Sequence, residues 1–336
     1  MTMTQRKPIR FFYKCSIGIL LLICMFIISI IFGALDTTIK DIWLALFSNT
    51  KTEAATIIHD IRLPREIAAV FVGAALAVSG AIMQGMTRNP LADPGLFGLT
   101  AGANAALAIV IALFPSLGTF GMMVASFIGA AVGAFLVFGI ASTKKGGFSP
   151  FRIVLAGAAV SAFLFAIAEG IGIYFKVYKE VSMWTAGGLI GTTWSQLQII
   201  VPFIVISIVI AFLLSKQLTI LSLNEEVAIG LGQKTIIVKV MLFILITILT
   251  GAAVALVGNM VFIGLMIPHI VRAIVGTDYR FILPMSAIVG AIFMLLADTI
   301  GRTMYAPLET PVAAIIAILG LPFFLVIVHK GGKVFS

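Results

Sequence analysis

From Pro94 to Thr143 the chain runs for 50 residues without a charged side chain. A water-facing surface has no use for such a segment, since soluble domains carry charge at roughly a quarter of their positions. A bilayer accepts it, because about 20 apolar residues in a helix cross the hydrocarbon layer with every backbone polar group paired internally. The run is twice that length, and Pro115-Ser116-Leu117-Gly118 offers the turn that divides it into two crossings.

A charge at mid-bilayer costs roughly 2.5–3.5 kcal/mol on insertion, so stretches poor in charge mark the other helices. They are 15–35, 67–87, 152–175, 197–214, 239–272 divided near Gly258-Asn259, 281–301 and 311–328. The expected class is all-α, a polytopic membrane protein with about ten transmembrane helices. With 61% hydrophobic and 10% charged residues, no polar block is long enough for a second domain, and residues 1–336 are read as one. The basic start Arg6, Lys7, Arg10 and Lys14 resembles a secretory leader, but the 21 uncharged residues that follow exceed a leader's core of about 7–15. An uncleaved first helix is expected. Cys15 and Cys24, about 13 Å apart along that helix, are too distant to bridge.

Ten crossings put both termini on one side. Lys40, Lys51, Arg62, Arg65, Lys176, Lys179 and Arg302 then fall opposite the termini, and the remaining fifteen of the 22 basic residues fall on the terminal side. The positive-inside bias places both termini in the cytoplasm. The net charge of +9 follows from these clusters between apolar runs; a basic stripe with interleaved aromatics, the footprint of a nucleic-acid binder, does not occur.

Enzyme chemistry finds little support. Gly230-Leu231-Gly232-Gln233-Lys234-Thr235 looks like a phosphate loop, but Gln233 separates the glycine from the lysine that the motif needs contiguous. His59, His269 and His329 are scattered, no Cys/His cluster offers a metal site, and no Gly-x-Ser-x-Gly element occurs, so neither a catalytic nor a metal set can be assembled. Two acids, Glu169 and Asp298, lie in apolar helices, and such acids mark ion pathways by default. Asp298, however, is four residues from Arg302, a spacing that lets the pair neutralise each other on one helix face.

Between the crossings, residues 36–60 alternate polar side chains with Ile39, Ile42, Trp43, Leu46 and Phe47, the pattern of an amphipathic helix lying at the interface outside. Arg62 and Arg65 follow it, and Arg302 stands at the same side, against the charge bias; guanidinium groups there suit carboxylates of an extracytoplasmic partner. On the terminal side, residues 216–234 interleave apolar residues with Ser222, Asn224, Glu225 and Glu226. Two short helices on the membrane face are expected, capped at Asn224, stopped at Gly230 or Gly232, and inviting a protein partner. Gly98 and Gly102, Gly129 and Gly133, and the run Ala156-Gly157-Ala158-Ala159 are spaced for close helix contact.

At these residues the chain resembles the iron-siderophore, haem and cobalamin permease family of ABC importers, from about Asp41 to Lys330. The resemblance rests on IRLPREIAAVFVGAALAVSGAIMQGMTRNPLADPGLFGLTAGA (61–103), VGNMVFIGLMIPHIVRAIVGTDYR (257–280), LLADTIGR and LETPVAAIIAILGLPFF. It implies a type II importer permease fold in a bacterial cytoplasmic membrane, paired with a second permease subunit, identical or paralogous. Two cytoplasmic ATPase subunits and an extracytoplasmic substrate-binding protein complete the implied assembly, with no cofactor. By resemblance, Arg62, Arg65 and Arg302 dock the binding protein. Leu221, Asn224, Glu225, Glu226, Gly230 and Gly232 belong to the segment coupled to the ATPases. Ala156, Gly157, Ser161, Glu169 and Trp184 belong to the translocation path, on the fifth crossing and the short outer helix after it. Gly230, Tyr279 and Ala313 depart from the residues usual in the family. The cargo implied is an iron siderophore, a ferric hydroxamate first, with haem or cobalamin as alternatives; an ion-coupled secondary transporter using Glu169 and Asp298 is the rival of another class.

Overall fold

A computed structural model describes residues 6–32, 53–142, 150–186, 188–306 and 308–329. The expected amphipathic segment 36–60 lies outside them except for its end, where a turn of helix Glu53–Thr56 and a π-helical turn Ile57–Arg62 run straight into the second crossing.

We number the main helices in chain order. They are α1 (Arg6–Ile31), α2 (Leu63–Thr87), α3 (Leu99–Leu113), α4 (Gly118–Ser142), α5 (Pro150–Tyr174), α6 (Tyr178–Ala186) and α7 (Trp194–Leu213). They continue with α8 (Ser215–Leu223), α9 (Glu225–Gly230), α10 (Thr235–Val257), α11 (Ile263–Val275), α12 (Tyr279–Thr303) and α13 (Val312–His329). Seven segments are long and apolar enough to cross a membrane, and the shorter apolar helices α3, α11 and α13 bring the set to ten among the described residues.

Helix α2 sits at the centre. Its sequence is rich in Ala and Gly on every side, so neighbours approach all round it, and 83% of its apolar window is buried against 11% for α1. The backbones of α2 and α12 meet where Gly73 faces Gly290: a Cβ on Gly73 would collide with the Gly290 carbonyl, and one on Gly290 with that of Gly73. The antiparallel pair thus packs at backbone contact, as small residues permit in lipid. The glycines spaced for close helix contact meet between α3 and α4, with Gly102 against the Gly129 carbonyl and Gly133 against that of Gly98. At the periphery, α1 leaves Ile17, Leu20, Leu21 and Ile27 exposed, and α4 and α7 leave Phe135 and Ile206 exposed. That surface meets lipid tails.

Two breaks bring backbone into the bundle. After α2 the chain turns at Arg88, whose φ of 54° is left-handed, and Asp93 caps the 3-10 turn Pro94–Phe97 by accepting from Gly95 N. Pro94 and Asp93 lie against Gly264, which itself touches Gly80 near the middle of α2, so α3 starts inside the bundle and spans only 15 residues. The second break follows α10 at Gly258, where the sequence divides the run, and ends at Phe262, also left-handed. Gln84 of α2 donates through Nε2 to the carbonyls of Gly264 and Leu265 at 3.3 and 3.1 Å, giving a partner to the Gly264 carbonyl, which Pro268 four residues on cannot bond.

Candidate functional site

Arg62, Arg65 and Arg302 come together at one end of the α2–α12 pair, and the fold places them inside the protein: they are 5%, 6% and 3% exposed. Arg65 faces Asp298 with two nitrogens, Nε at 3.1 Å from both carboxylate oxygens and Nη2 at 2.8 Å from one, while Nη1 reaches Glu309 at 2.9 and 3.0 Å. Arg302 donates through Nη2 to Glu66 at 2.5 Å and to the Ser29 hydroxyl at 2.8 Å. Its Nε lies 3.0 Å from Asp298, an ion contact and not an aligned hydrogen bond. The Asp298–Arg302 pair is the one the four-residue spacing anticipates. Arg62 donates to the Ile30 carbonyl at the end of α1 at 2.6 Å, and Ser29 bonds to Glu66.

Three guanidiniums therefore meet three carboxylates from α2, α12 and the loop before α13, with α1 supplying Ser29 and Ile30. Charges so far from water persist only when paired and hydrogen-bonded in this way. Glu309, whose side chain is 25% exposed, is the one acid of the set open to solvent. Glu66 and Glu309 escape sequence reasoning because their partners are 236 and 244 positions away.

At the opposite end, α8 and α9 occupy the polar segment after α7. Asn224 is extended at φ −161° and accepts from Glu226 N at 3.1 Å, the cap its position suggests; α9 closes at Gly230, and Gly232 turns left-handed at φ 79°. Leu221 is buried, whereas Leu223, Val227, Ile229 and Leu231 are exposed together. Glu225 is held by Lys239 of α10 at 2.5 Å. Helix α8 also joins α12, since Thr219 accepts from Tyr279 N at 3.0 Å and bonds Asp278 at 3.2 Å. One helix, α12, thus has α8 at its start and the arginine cluster at its end.

Along α5 two cavities of about 420 and 350 Å³ adjoin, sharing Phe165, Asn259 and Val261. Glu169 lines the larger, Gly157 and Ser161 the smaller. Ala156, on the neighbouring face, is buried in the core, and Trp184 of α6 is half-buried outside both linings. Asp93, Asn104 and Asn259 also line this space. Sequence reasoning did not single them out, because all three reach it from chain breaks or a distant helix. Backbone bonds from Gly188 N to the Val257 carbonyl and from Asn259 N to the Thr185 carbonyl tie the α6 region to the break after α10.

A ten-helix membrane bundle with a cavity-bearing face between two specialised ends is the architecture of a permease, a multi-pass transport component. The chain belongs to the FecCD transport family, whose model matches residues 20–330. It is 45% identical over 314 residues to the iron(3+)-hydroxamate import system permease protein FhuB of Bacillus subtilis (strain 168), covering 93% of this chain and 82% of that one. It is 39% identical to the hemin transport system permease protein HmuU of Yersinia pestis, covering 91% and 92%. A solved inward-facing metal-chelate type ABC transporter superposes with a TM-score of 0.82 at 27% identity, covering 95% of this chain and 99% of that one. The chain is accordingly the membrane-spanning permease subunit of an ABC importer, a transport subunit and not an enzyme.

Proposed function

We propose that the permease carries an iron(III) chelate, a hydroxamate siderophore first, inward across the bacterial cytoplasmic membrane. The observation that carries the choice of cargo is the 45% identity, across 93% of the chain, to an iron(3+)-hydroxamate permease. Two such subunits, identical or paralogous, enclose the path, with their α5–α6 faces toward each other. Both termini are cytoplasmic, as the fifteen-to-seven basic bias supports.

Two ATPases bear on α8 and α9, where the exposed Leu223, Val227, Ile229 and Leu231 form an apolar patch that a protein partner would cover. The binding protein docks at the arginine end. Because Arg62, Arg65 and Arg302 are engaged within the chain, an incoming carboxylate competes with the partly exposed Glu309 for Arg65 before it reaches the others. Movement of α8 passes directly into α12 through Thr219, Asp278 and Tyr279.

Deletion of the gene should abolish growth on a ferric trihydroxamate as sole iron source, and liposomes holding the permease should accumulate it only with ATPases, ATP and binding protein. Accumulation by the permease alone under a proton gradient would establish the secondary-transporter alternative instead.

A further inference from the structure

The two cavities on α5 have a one-signed lining. Among the described residues that line them, two are carboxylates, Asp93 and Glu169, and none is Lys, Arg or His. Lys176 and Lys179, the basic residues nearest Glu169 in sequence, belong to neither lining. Both acids are open to the space: Glu169 is exposed and Asp93 is partly so, with one oxygen spent on Gly95 N at 2.8 Å. Ser161, Phe165 and Glu169 recur at helical spacing, so the cavity-lining face follows α5 for about 12 Å at 1.5 Å per residue.

A second feature points to a ligand. Asn104 is only 7% exposed yet lines the larger cavity, and its one side-chain partner is the Thr185 hydroxyl at 3.1 Å. Whichever way its carboxamide is turned, one polar end has no partner in the chain. That end is accessible from the cavity, where a molecule inside can bond to it. Asn259, in both linings, adds a second carboxamide. Carboxamides and hydroxyls match the oxygen-rich shell of an iron chelate without ionic attraction, while the two carboxylates oppose negative charge.

We infer that Asp93 and Glu169 make the path charge-selective, admitting neutral and cationic iron(III) chelates and rejecting anionic ones. The chemistry separates the cargo classes: an iron(III) trihydroxamate core is neutral, whereas a tricatecholate is a trianion. Rejection by like charge is how a site that binds weakly gains specificity. The inference rests on the proposed import of hydroxamates and names the residues that restrict it.

The test uses one linear iron(III) trihydroxamate with a terminal amine, as the free amine (cation), the N-acetyl derivative (neutral) and the N-succinyl derivative (anion). Transport is measured in liposomes with the complete importer, ATPases and binding protein included, and rates are corrected for the binding protein's measured affinity for each form. The wild type should carry the anion about tenfold more slowly than the neutral form. Asp93→Asn with Glu169→Gln should bring the anion-to-neutral rate ratio within about twofold. Asparagine at 93 can still cap Gly95, and position 169 is exposed, so both changes are compatible with folding. Asp93→Asn with Glu169→Lys, which leaves one positive charge on the lining, should place the anion ahead of the cation. Equal wild-type rates for the three forms, or an anion deficit that survives the double replacement, would overturn the charge filter and leave hydroxamate import standing. Failure of the wild type to transport any of the three would remove both.

Discussion

Arg65 and Asp298, 233 positions apart in the chain, face each other through two guanidinium nitrogens, and neither side chain is more than 8% exposed. This pair joins α2 to α12 at one end, as the meeting of Gly73 with Gly290 joins them midway and Gly85 against the Tyr279 ring joins them at the other. The central helix pair is therefore fixed along its whole length, once by charge and twice by the absence of side chains.

Asp298→Asn should be severely destabilising, because it leaves Arg65 and Arg302 short of one carboxylate in a buried site. Losing one partner of a buried pair costs about 3–5 kcal/mol. Thermal unfolding in detergent should show a large drop in midpoint for this variant. A well-packed apolar pair, Arg65→Met with Asp298→Leu, should be less damaging to the α2–α12 contact than either single change.

Gly73→Val should prevent α2 and α12 from closing, since its first side-chain atom would already meet the Gly290 carbonyl. Overpacking against rigid backbone costs about 3 kcal/mol or more. Gly170→Ala is the control: nothing stands within 4 Å of the added carbon, and the helix should gain up to about 1 kcal/mol. Folded yield after detergent extraction separates the two.

Glu225→Gln should uncouple ATP hydrolysis from transport. It leaves the Lys239 ammonium, 7% exposed on its side chain, without its carboxylate, and frees α9 from α10. Glu225 is itself a third exposed, so the stability loss should stay near about 1 kcal/mol. Transport per ATP hydrolysed should fall several-fold, and exchanging the charges, Glu225→Lys with Lys239→Glu, should recover part of it.

Asp278 gives the α8–α12 junction a pH dependence. Burial pushes its carboxyl up, but hydrogen bonds from the Arg280 side chain and backbone, the Arg280 charge and the Thr219 hydroxyl together hold it below the ordinary value. A carboxyl lowered in the folded state stabilises fully above its unfolded pKa of about 3.9 and loses that contribution as pH falls through the lower folded value. Unfolding followed from pH 6 to 3 should show the wild type's advantage over Asp278→Asn constant at first and shrinking at the acid end. An advantage that grows on acidification would contradict the assignment.

Apolar length and punctuation carried most of the architecture. The uncharged run of 50 residues, the turn at Pro115, the break at Gly258 and the cap at Asn224 are local events, and each appears where its residues stand. The start of the second crossing was less legible: charge places it at Ile67, whereas α2 begins at Leu63 and carries Arg65 and Glu66 inside it. Those two charges are tolerated because α12 and the loop before α13 bring counter-charges, which no window around residue 65 contains.

The sequence by itself determined that this chain lives in a bilayer, roughly how many times it crosses and where each helix stops, because lipid charges a penalty to each segment separately. Only the tertiary structure decided that three arginines lie indoors with three acids, that Asp93, Asn104 and Asn259 open on one space beside α5, and that α12 has α8 at one end and the arginine cluster at the other. Helix order in lipid is set by which small-residue faces fit together, a property of pairs of distant segments that no single segment displays.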